Sequence, residues 1–348
     1  MRRDPGRGSI GNDAVRLFSG LVFLLAAHLV ASCAHTGDGR TTSRIPLDRE
    51  RFPNDCDDGN PFTTDDSMLG GICHGIADPD GDGIPNFGAG PLCSAGGVPE
   101  GCVDNCRFTR NPDQADSDAD GLGDACERVA EWNRVDTTEK VVALTFDDGY
   151  NDAALNRILD ALDAVHARGT FFLNGLYLEN GSLKKATLER LRDGGHLLGN
   201  HTYHHTLGAD AETTRTEIRE GERAFLDLAG ISLHPLFRSP AYARTAWRDE
   251  VLHEEGYSEH LLATLDLEDW TEPPPSPAAM TACVAGEVEP GDIILFHAGP
   301  HTTPVALPGI LRALADRGYG FVTIEELLFF GEPTFDEAGA RLCRRYYH

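Results

Sequence analysis

From about Lys140 onward the chain alternates between short apolar runs and longer stretches whose apolar residues recur every three or four positions. Val141 to Phe146 is an apolar, β-branched run of strand character, and Ala153 to Ala167 carries its apolar residues at helical spacing. Gly169 to Leu173 reads as a strand and Leu183 to Arg192 as a helix. His196 to Gly199 leads into a polar turn, and Thr213 to Leu228 has the pattern of a long helix. The alternation continues through Leu236–Phe237, Trp247–Glu254, Leu261–Leu265, Ile293–Phe296, Leu307–Ala315 and Phe321–Thr323. Repeated strand–helix units predict an α/β fold with a mainly parallel sheet, and about seven of them favour a barrel. Functional groups then belong just after the strands, at their C-terminal ends.

The pattern upstream is different. Arg2, Arg3, Arg7 and Arg16 precede an apolar run from Leu17 to Val30, too short for a comfortable membrane span, so residues 1–32 read as a secretory signal peptide. Val30-Ala31-Ser32-Cys33 resembles a bacterial lipobox, which implies lipid modification at Cys33 and a membrane-anchored, extracytoplasmic protein of the cell envelope; ordinary cleavage nearby would instead leave it secreted. Residues 33–54 lack periodicity and form a tether.

Residues 55–128 are poor in aliphatics and rich in Asp, Gly, Asn, Pro and Cys, so no ordinary core can hold them. Asp78, Asp80 and Asp82 lead into Gly83, and Asp116, Asp118 and Asp120 into Gly121, with Asp124 and Glu127 following the second copy. Alternate aspartates ending at a glycine let a loop wrap several oxygens around one Ca²⁺. The segments DPDGDGIPN and NPDQADSDADGLGDAC resemble thrombospondin type-3 repeats, which implies an irregular module held by calcium and disulfides; an acidic disordered spacer is the plainer alternative. Of nine cysteines, six fall in this block without a CxxC pair, which suits an oxidising compartment better than a zinc ribbon. Pairing neighbours gives Cys56–Cys73, Cys93–Cys102 and Cys106–Cys126, with Cys283–Cys343 tying down a C-terminal tail, residues 331–348. The net charge of −26 argues against a nucleic-acid partner, and the stretch 51–128 alone carries 16 acids against 4 bases.

Candidate chemistry lies in five segments after successive strands. In TFDDG, Asp147 and Asp148 can divide metal binding from proton transfer, although Asp-Asp-Gly is also a common turn. In NHTYHH, His201 and His205 have the spacing that sets two imidazoles on one side of a helical turn, with His204 a competitor. Arg238 in FRSPAY can hold a carboxylate ionised. In DLEDW, Asp266 or Asp269 can orient an imidazole and help it act as an acid, and His297 ends the strand in DIILFHAG, where a lone histidine is more often structural.

In this order TFDDG, HTYHH, RSP, DLEDW and LFH resemble the five motifs of the NodB-type polysaccharide deacetylases, carbohydrate esterase family 4, over residues 138–330. The resemblance implies a distorted, incomplete (β/α) barrel and a metal-dependent hydrolase that releases acetate from an N-acetylated glycan. It implies Asp148, His201 and His205 as ligands of Zn²⁺ or a similar divalent metal, and Asp147 as general base paired with Arg238. It further implies His297 as general acid oriented by Asp269, Leu295 and Trp270 as the acetyl pocket, and a backbone N–H after Pro240 as oxyanion donor. That position is Ala241 here, with Tyr242 next, where the family more often has an aromatic or glycine, a departure that touches substrate shaping; AGPH after the LFH motif also differs from the family's more usual acidic continuation. O-acetyl-glycan esterase, cyclic amide or imide hydrolase, and a non-catalytic glycan-binding surface lipoprotein are the other readings.

Overall fold

A computed structural model of the chain describes residues 84, 93, 102–119, 121–299 and 302–347, together with the backbone of two strands at 63–69 and 72–77. Residues 1–54, where the sequence led us to expect a signal peptide, a lipidated Cys33 and a tether, lie outside the described residues, as do Cys56, the side chain of Cys73, and Asp78, Asp80, Asp82 and Asp120.

In chain order the strands are β1 (Thr63–Leu69), β2 (Ile72–Ala77), β3 (Ala130–Trp132), β4 (Arg134–Asp136), β5 (Val141–Asp148), β6 (Thr170–Leu173), β7 (Leu197–Asn200), β8 (Leu236–Phe237), β9 (Glu259–Leu261), β10 (Leu265–Asp266), β11 (Ile293–His297), β12 (Gly320–Val322), β13 (Glu332–Thr334) and β14 (Arg341–Leu342). The helices are α1 (Asp152–Asp163), α2 (Gly175–Glu179), α3 (Lys185–Asp193), α4 (Ala211–Ala229), α5 (Arg248–Glu254), α6 (Pro277–Glu287), α7 (Thr303–Asp316) and α8 (Ile324–Leu327). The main sheet runs β14-β10-β11-β5-β6-β7-β8-β9-β3, with β12 beside the start of β5. Its pairings are parallel throughout. Among the described residues its two end strands do not pair with each other, so the curled sheet is an incomplete (β/α) barrel, as the strand–helix alternation and the motif resemblance led us to expect.

β5 is buried along almost its whole length, which explains its unbroken apolar sequence in the middle of a parallel sheet. Val142, Leu144 and Phe146 point to the helix layer, where Leu155, Ile158, Leu159 and Leu162 of α1 repeat at helical spacing. Val141 and Ala143 point inward, against Phe172, Leu236, Leu261, Ile293 and Leu295. Local signals fix the helix ends. Asn151 caps α1 by accepting from Ala154 N at 2.9 Å, Asp210 and Thr213 form a reciprocal cap on α4, and Gly230 (φ 67) closes α4 in the left-handed region.

Three features depart from the sequence pattern. The run Leu261–Leu265 is two strands, β9 and β10, because the carbonyls of Leu261 and Leu262 accept hydrogen bonds from Arg238. The helix α6 is apolar on nearly every side, so no periodic face announced it. Within the Cys-rich block β1 and β2 form an antiparallel pair, with Leu69 opposite Ile72.

The segment 102–128 has few aliphatic residues and is held instead by a buried amide network. Gln114 donates to Asp104 and Asn111 at 2.8 and 2.9 Å, and Asn111 donates to Asn105 at 2.7 Å. Cys93–Cys102 and Cys106–Cys126 are bonded, as is Cys283–Cys343. Phe108 enters the inner core, and Arg107 pairs with the buried Glu325 of α8 at 3.0 Å. Among the described residues no helix is long and apolar enough to cross a membrane.

Candidate active site

The pleat of β5 would aim Asp147 and Asp148 to opposite faces of the sheet. Asp147 continues the inward row of Val141, Ala143 and Thr145, while Asp148 has φ 75 and Gly149 φ 84, so the chain turns left-handed where the strand ends. Both carboxylates therefore approach one imidazole: His201 Nε2 lies 3.7 Å from Asp147 Oδ2 and 3.8 Å from Asp148 Oδ1. Asp is among the residues that tolerate this region best. A side chain at Gly149 would drive its Cβ to 2.7 Å from Leu173.

Asp147 is held by Arg238, which is fully buried. Its Nη1 donates to Asp147 Oδ1 at 2.8 Å and to Thr145 Oγ1 at 2.9 Å, Nε to Leu261 O at 3.1 Å and Nη2 to Leu262 O at 3.4 Å. The guanidinium also lies over the Phe172 ring, 4.2 Å from its centre. Burial opposes the charge on Asp147, but Arg238, then His201 and His297, outweigh it and keep the carboxyl below the usual carboxylate range.

The i, i+4 spacing of His201 and His205 is not that of a helix here. Residues 201–206 form an irregular turn, with Thr202 at φ 67 and His205 at φ 60. Asn174 secures it by donating to His201 O at 2.5 Å, and Thr206 N donates to Thr202 Oγ1 at 3.0 Å. His201 is buried, and its Nδ1 lies 2.7 Å from Arg238 O. A carbonyl only accepts, so Nδ1 carries the proton and Nε2 presents a lone pair. Burial favours the neutral imidazole, and its pKa is lowered. His204 turns away to Glu217, 2.8 Å from Nδ1.

Ligand atoms from Asp148, His201 and His205 lie within 4.8 Å of one another, and among the described residues this is the cluster able to share an ion. Asp148 Oδ1 is buried with no hydrogen-bond donor, and it faces His205 Nε2 at 3.4 Å. Two imidazole nitrogens and an orphaned carboxylate oxygen fit a divalent transition metal with a position left for water.

Across the sheet β11 sets His297 in register with Asp147. His297 Nδ1 lies 2.7 Å from Asp269 Oδ1, its backbone N–H donates to Asp269 Oδ2 at 2.9 Å, and Thr303 donates to the same oxygen. Burial works against the imidazolium, yet Asp269, Asp147 and Asp148 raise its pKa to about 9. Asp266 instead keeps its proton more readily, its pKa pushed up to about 6 chiefly by burial. Leu295 is buried in the inner cluster, against which Tyr242 packs, while Trp270 is 52% exposed at the rim. Ala241 and Tyr242 sit in a tight turn at φ 50 and 53.

The motif reading missed Thr145, Thr303 and Asn174, which hydrogen-bond to Arg238, Asp269 and the turn carrying His201. It also missed Tyr150 and Tyr177, whose rings pack 5.7 Å apart and whose hydroxyls are raised in pKa by burial and then by Asp148. The place of Tyr150 directly after TFDDG was the available signal.

In the acidic loop, Asp116 accepts from Ala119 N at 2.7 Å and Gly121 N at 3.2 Å, and Asp124 from Ser117 N and Oγ, both at 2.6 Å. Asp118 and Glu127 lie in the same stretch.

A curled parallel sheet with two carboxylates and two imidazoles gathered at the C-terminal ends of its strands defines an α/β-barrel enzyme class. A family model described as polysaccharide deacetylase matches residues 134–259. A peptidoglycan-N-acetylglucosamine deacetylase of Bacillus cereus is 33% identical over 56% of this chain and 91% of its own length. The peptidoglycan-N-acetylglucosamine deacetylase PgdA of Listeria monocytogenes is 31% identical over 60% of this chain and 44% of its own. The peptidoglycan-N-acetylmuramic acid deacetylase PdaC of Bacillus subtilis is 30% identical over 56% of this chain and 40% of its own. The chain thus spans less than half of the last two. Among solved structures, the Bc1960 peptidoglycan N-acetylglucosamine deacetylase superposes with a TM-score of 0.52 at 26% identity, over 61% of this chain and 96% of that one. A mutant of BA3943, a CE4 family pseudoenzyme with restored enzymatic activity, gives 0.51 at 27% identity, over 57% and 71%. The chain belongs to the polysaccharide deacetylase family.

Proposed function

We propose that the protein is a metal-dependent N-deacetylase that removes acetate from N-acetylglucosamine-containing glycan such as peptidoglycan. One observation carries this reading: Asp148 Oδ1, buried and without a donor, faces two imidazole nitrogens beside a second carboxylate that Arg238 holds ionised. Asp148, His201 and His205 would hold Zn²⁺ or a similar divalent metal. Such a metal would supply a Lewis acid and lower the pKa of a water towards neutrality.

The remaining chemistry belongs to the chain. Asp147 accepts the proton of the attacking water, because Arg238 keeps it ionised where burial alone would not. The Ala241 N–H donates to the oxyanion that forms from the acetamide carbonyl. His297, protonated, delivers its Nε2 proton to the departing nitrogen, with Asp269 fixing Nδ1. Leu295 and Trp270 receive the acetyl methyl group, and Tyr242 shapes the approach beside them. The relatives' names support a peptidoglycan-like substrate, an extracytoplasmic polymer. That location suits the reading of residues 1–32 as a signal peptide, Cys33 as a lipid anchor and 33–54 as a tether. Residues 55–128 then take calcium as a module whose Phe108 packs into the inner core of a catalytic unit spanning about 138–330, followed by the tail at 331–348.

The test is acetate release by the purified chain from N-acetylglucosamine oligomers and from an O-acetylated xylan, before and after chelation. The reading requires release from the N-acetylated substrate that chelation abolishes and added Zn²⁺ restores. Release from xylan alone, or undiminished release after chelation, contradicts it.

A further inference from the structure

The C-terminal tail closes on the turn that delivers Asp269. β14 pairs with β10, Leu342 opposite Asp266, and Arg341 N donates to Thr264 O at 2.8 Å. Cys343, fully buried, is bonded to Cys283 of α6. Beyond it Tyr346 donates to Glu287 at 2.6 Å, which ties the tail to the end of α6 a second time. Arg344 then reaches Glu268 with Nε and Nη2, each 2.6 Å from Oε1, and Tyr347 donates to Leu267 O.

Leu267 and Glu268 are the two residues between Asp266, at the end of β10, and Asp269. Glu268 is only 2% exposed and has φ 50, a left-handed conformation its side chain disfavours. Its N–H donates to Asp266 Oδ1 at 2.7 Å, Oε1 accepts from Arg344, and Oε2 is buried without a donor. Among the described residues Arg344 is the cation paired with Glu268, and a buried carboxylate stripped of its partner is strongly destabilised where it stands. Asp269 follows directly, and both of its oxygens are committed to His297 and Thr303. Arg344 itself is 71% exposed, so removing it takes nothing out of the core.

We propose that the disulfide-anchored tail is a clasp in which Arg344, through Glu268, positions Asp269 and hence His297 for proton delivery to the leaving amine. Arg344 is thus a positioning residue about 75 positions from the group it serves. The inference rests on the reading of His297 as general acid.

The test measures kcat and KM for acetate release from N-acetylglucosamine oligomers by the full chain. It compares Arg344→Ala, Arg344→Lys, Cys283→Ser with Cys343→Ser, Asp269→Asn, and Asp269→Asn combined with Arg344→Ala, with melting temperature recorded for each. For Arg344→Ala the clasp requires kcat to fall about tenfold or more with KM within about twofold, and Lys to restore part of the loss. The paired serine variant should show the same kcat-selective loss. In the Asp269→Asn background Arg344→Ala should cost almost nothing further, because both changes act on one group. Additive losses, a loss confined to KM, or one that merely follows a lowered melting temperature overturns the clasp while leaving His297 as the acid. Full activity of Asp269→Asn overturns the general-acid reading and the clasp with it.

Discussion

Asp147 accepts from the Arg238 guanidinium at 2.8 Å, whereas Asp148 beside it faces the imidazoles of His201 and His205. The difference in partners separates the proposed base from the proposed ligand although the residue type is the same. It also sets the pH dependence of the proposed reaction. Asp147 works ionised, so activity is lost as pH falls through its depressed pKa. His297 works protonated, so activity is lost as pH rises through about 9. Asp269 is the strongest influence raising His297, so Asp269→Asn should move the alkaline limb of the kcat/KM profile to lower pH as well as reduce the rate. An alkaline limb that stays in place in that variant contradicts the assignment. At this scale the sequence was most informative where a motif carried a side chain: Asp147, Asp148, His201, His205, Arg238, Asp269 and His297, drawn from five short segments, come together at the ends of the strands. The left-handed backbone at Asp148 and His205 was not legible. It arises from how the strand end and the ligand turn are anchored by residues distant in sequence, such as Asn174.

The elements bring these side chains together through close packing of the Phe172 ring of β6 against Gly199 of β7. A Cβ on Gly199 would lie 2.5 Å from the Phe172 ring and 3.0 Å from Leu236. Phe172 is the surface on which Arg238 lies, so strain here reaches Asp147. Gly199→Ala should therefore destabilise the fold by about 1–3 kcal/mol in denaturant titration, as overpacking does, and lower kcat as well. A variant of unchanged stability and rate would show that the sheet yields there without consequence. Periodicity located β5, β6, β7 and β11 and the long helices α1 and α4, because each has one dry face or two. It ran β9 and β10 together, since nothing local reveals that Arg238 takes the carbonyls of Leu261 and Leu262. It also placed His201 and His205 on a helical turn, where side-chain hydrogen bonds impose an irregular one.

For the molecule as a whole, pieces that composition set apart from the barrel are packed into it. Phe108 of the Cys-rich segment joins the inner core, Ala130–Trp132 extends the sheet beside β9, and Arg341–Leu342 extends it beside β10. Composition identified the acidic block as lacking a core, and the structure supplies disulfides and a buried amide network in its place. Long-range docking of this kind leaves no period in a sequence. If the acidic loops take calcium as proposed, Ca²⁺ should raise the melting temperature of the full chain by a few degrees, growing with concentration as binding to the folded state requires. A melting temperature indifferent to Ca²⁺ would remove the ion from the account of that block.

The central claim is that Asp148, His201 and His205 converge on one cation while Asp147 remains free to move a proton. Zinc uptake measured by titration calorimetry on the metal-stripped chain, its Asp147→Asn variant and its His201→Ala variant tests it most directly, with acetate release followed in parallel. The account predicts Zn²⁺ binding by the parent and by Asp147→Asn, weak or no binding by His201→Ala, and acetate release, reduced by at least about 10²-fold in Asp147→Asn, from the parent alone. Undiminished binding by His201→Ala, or full activity of Asp147→Asn, would contradict it.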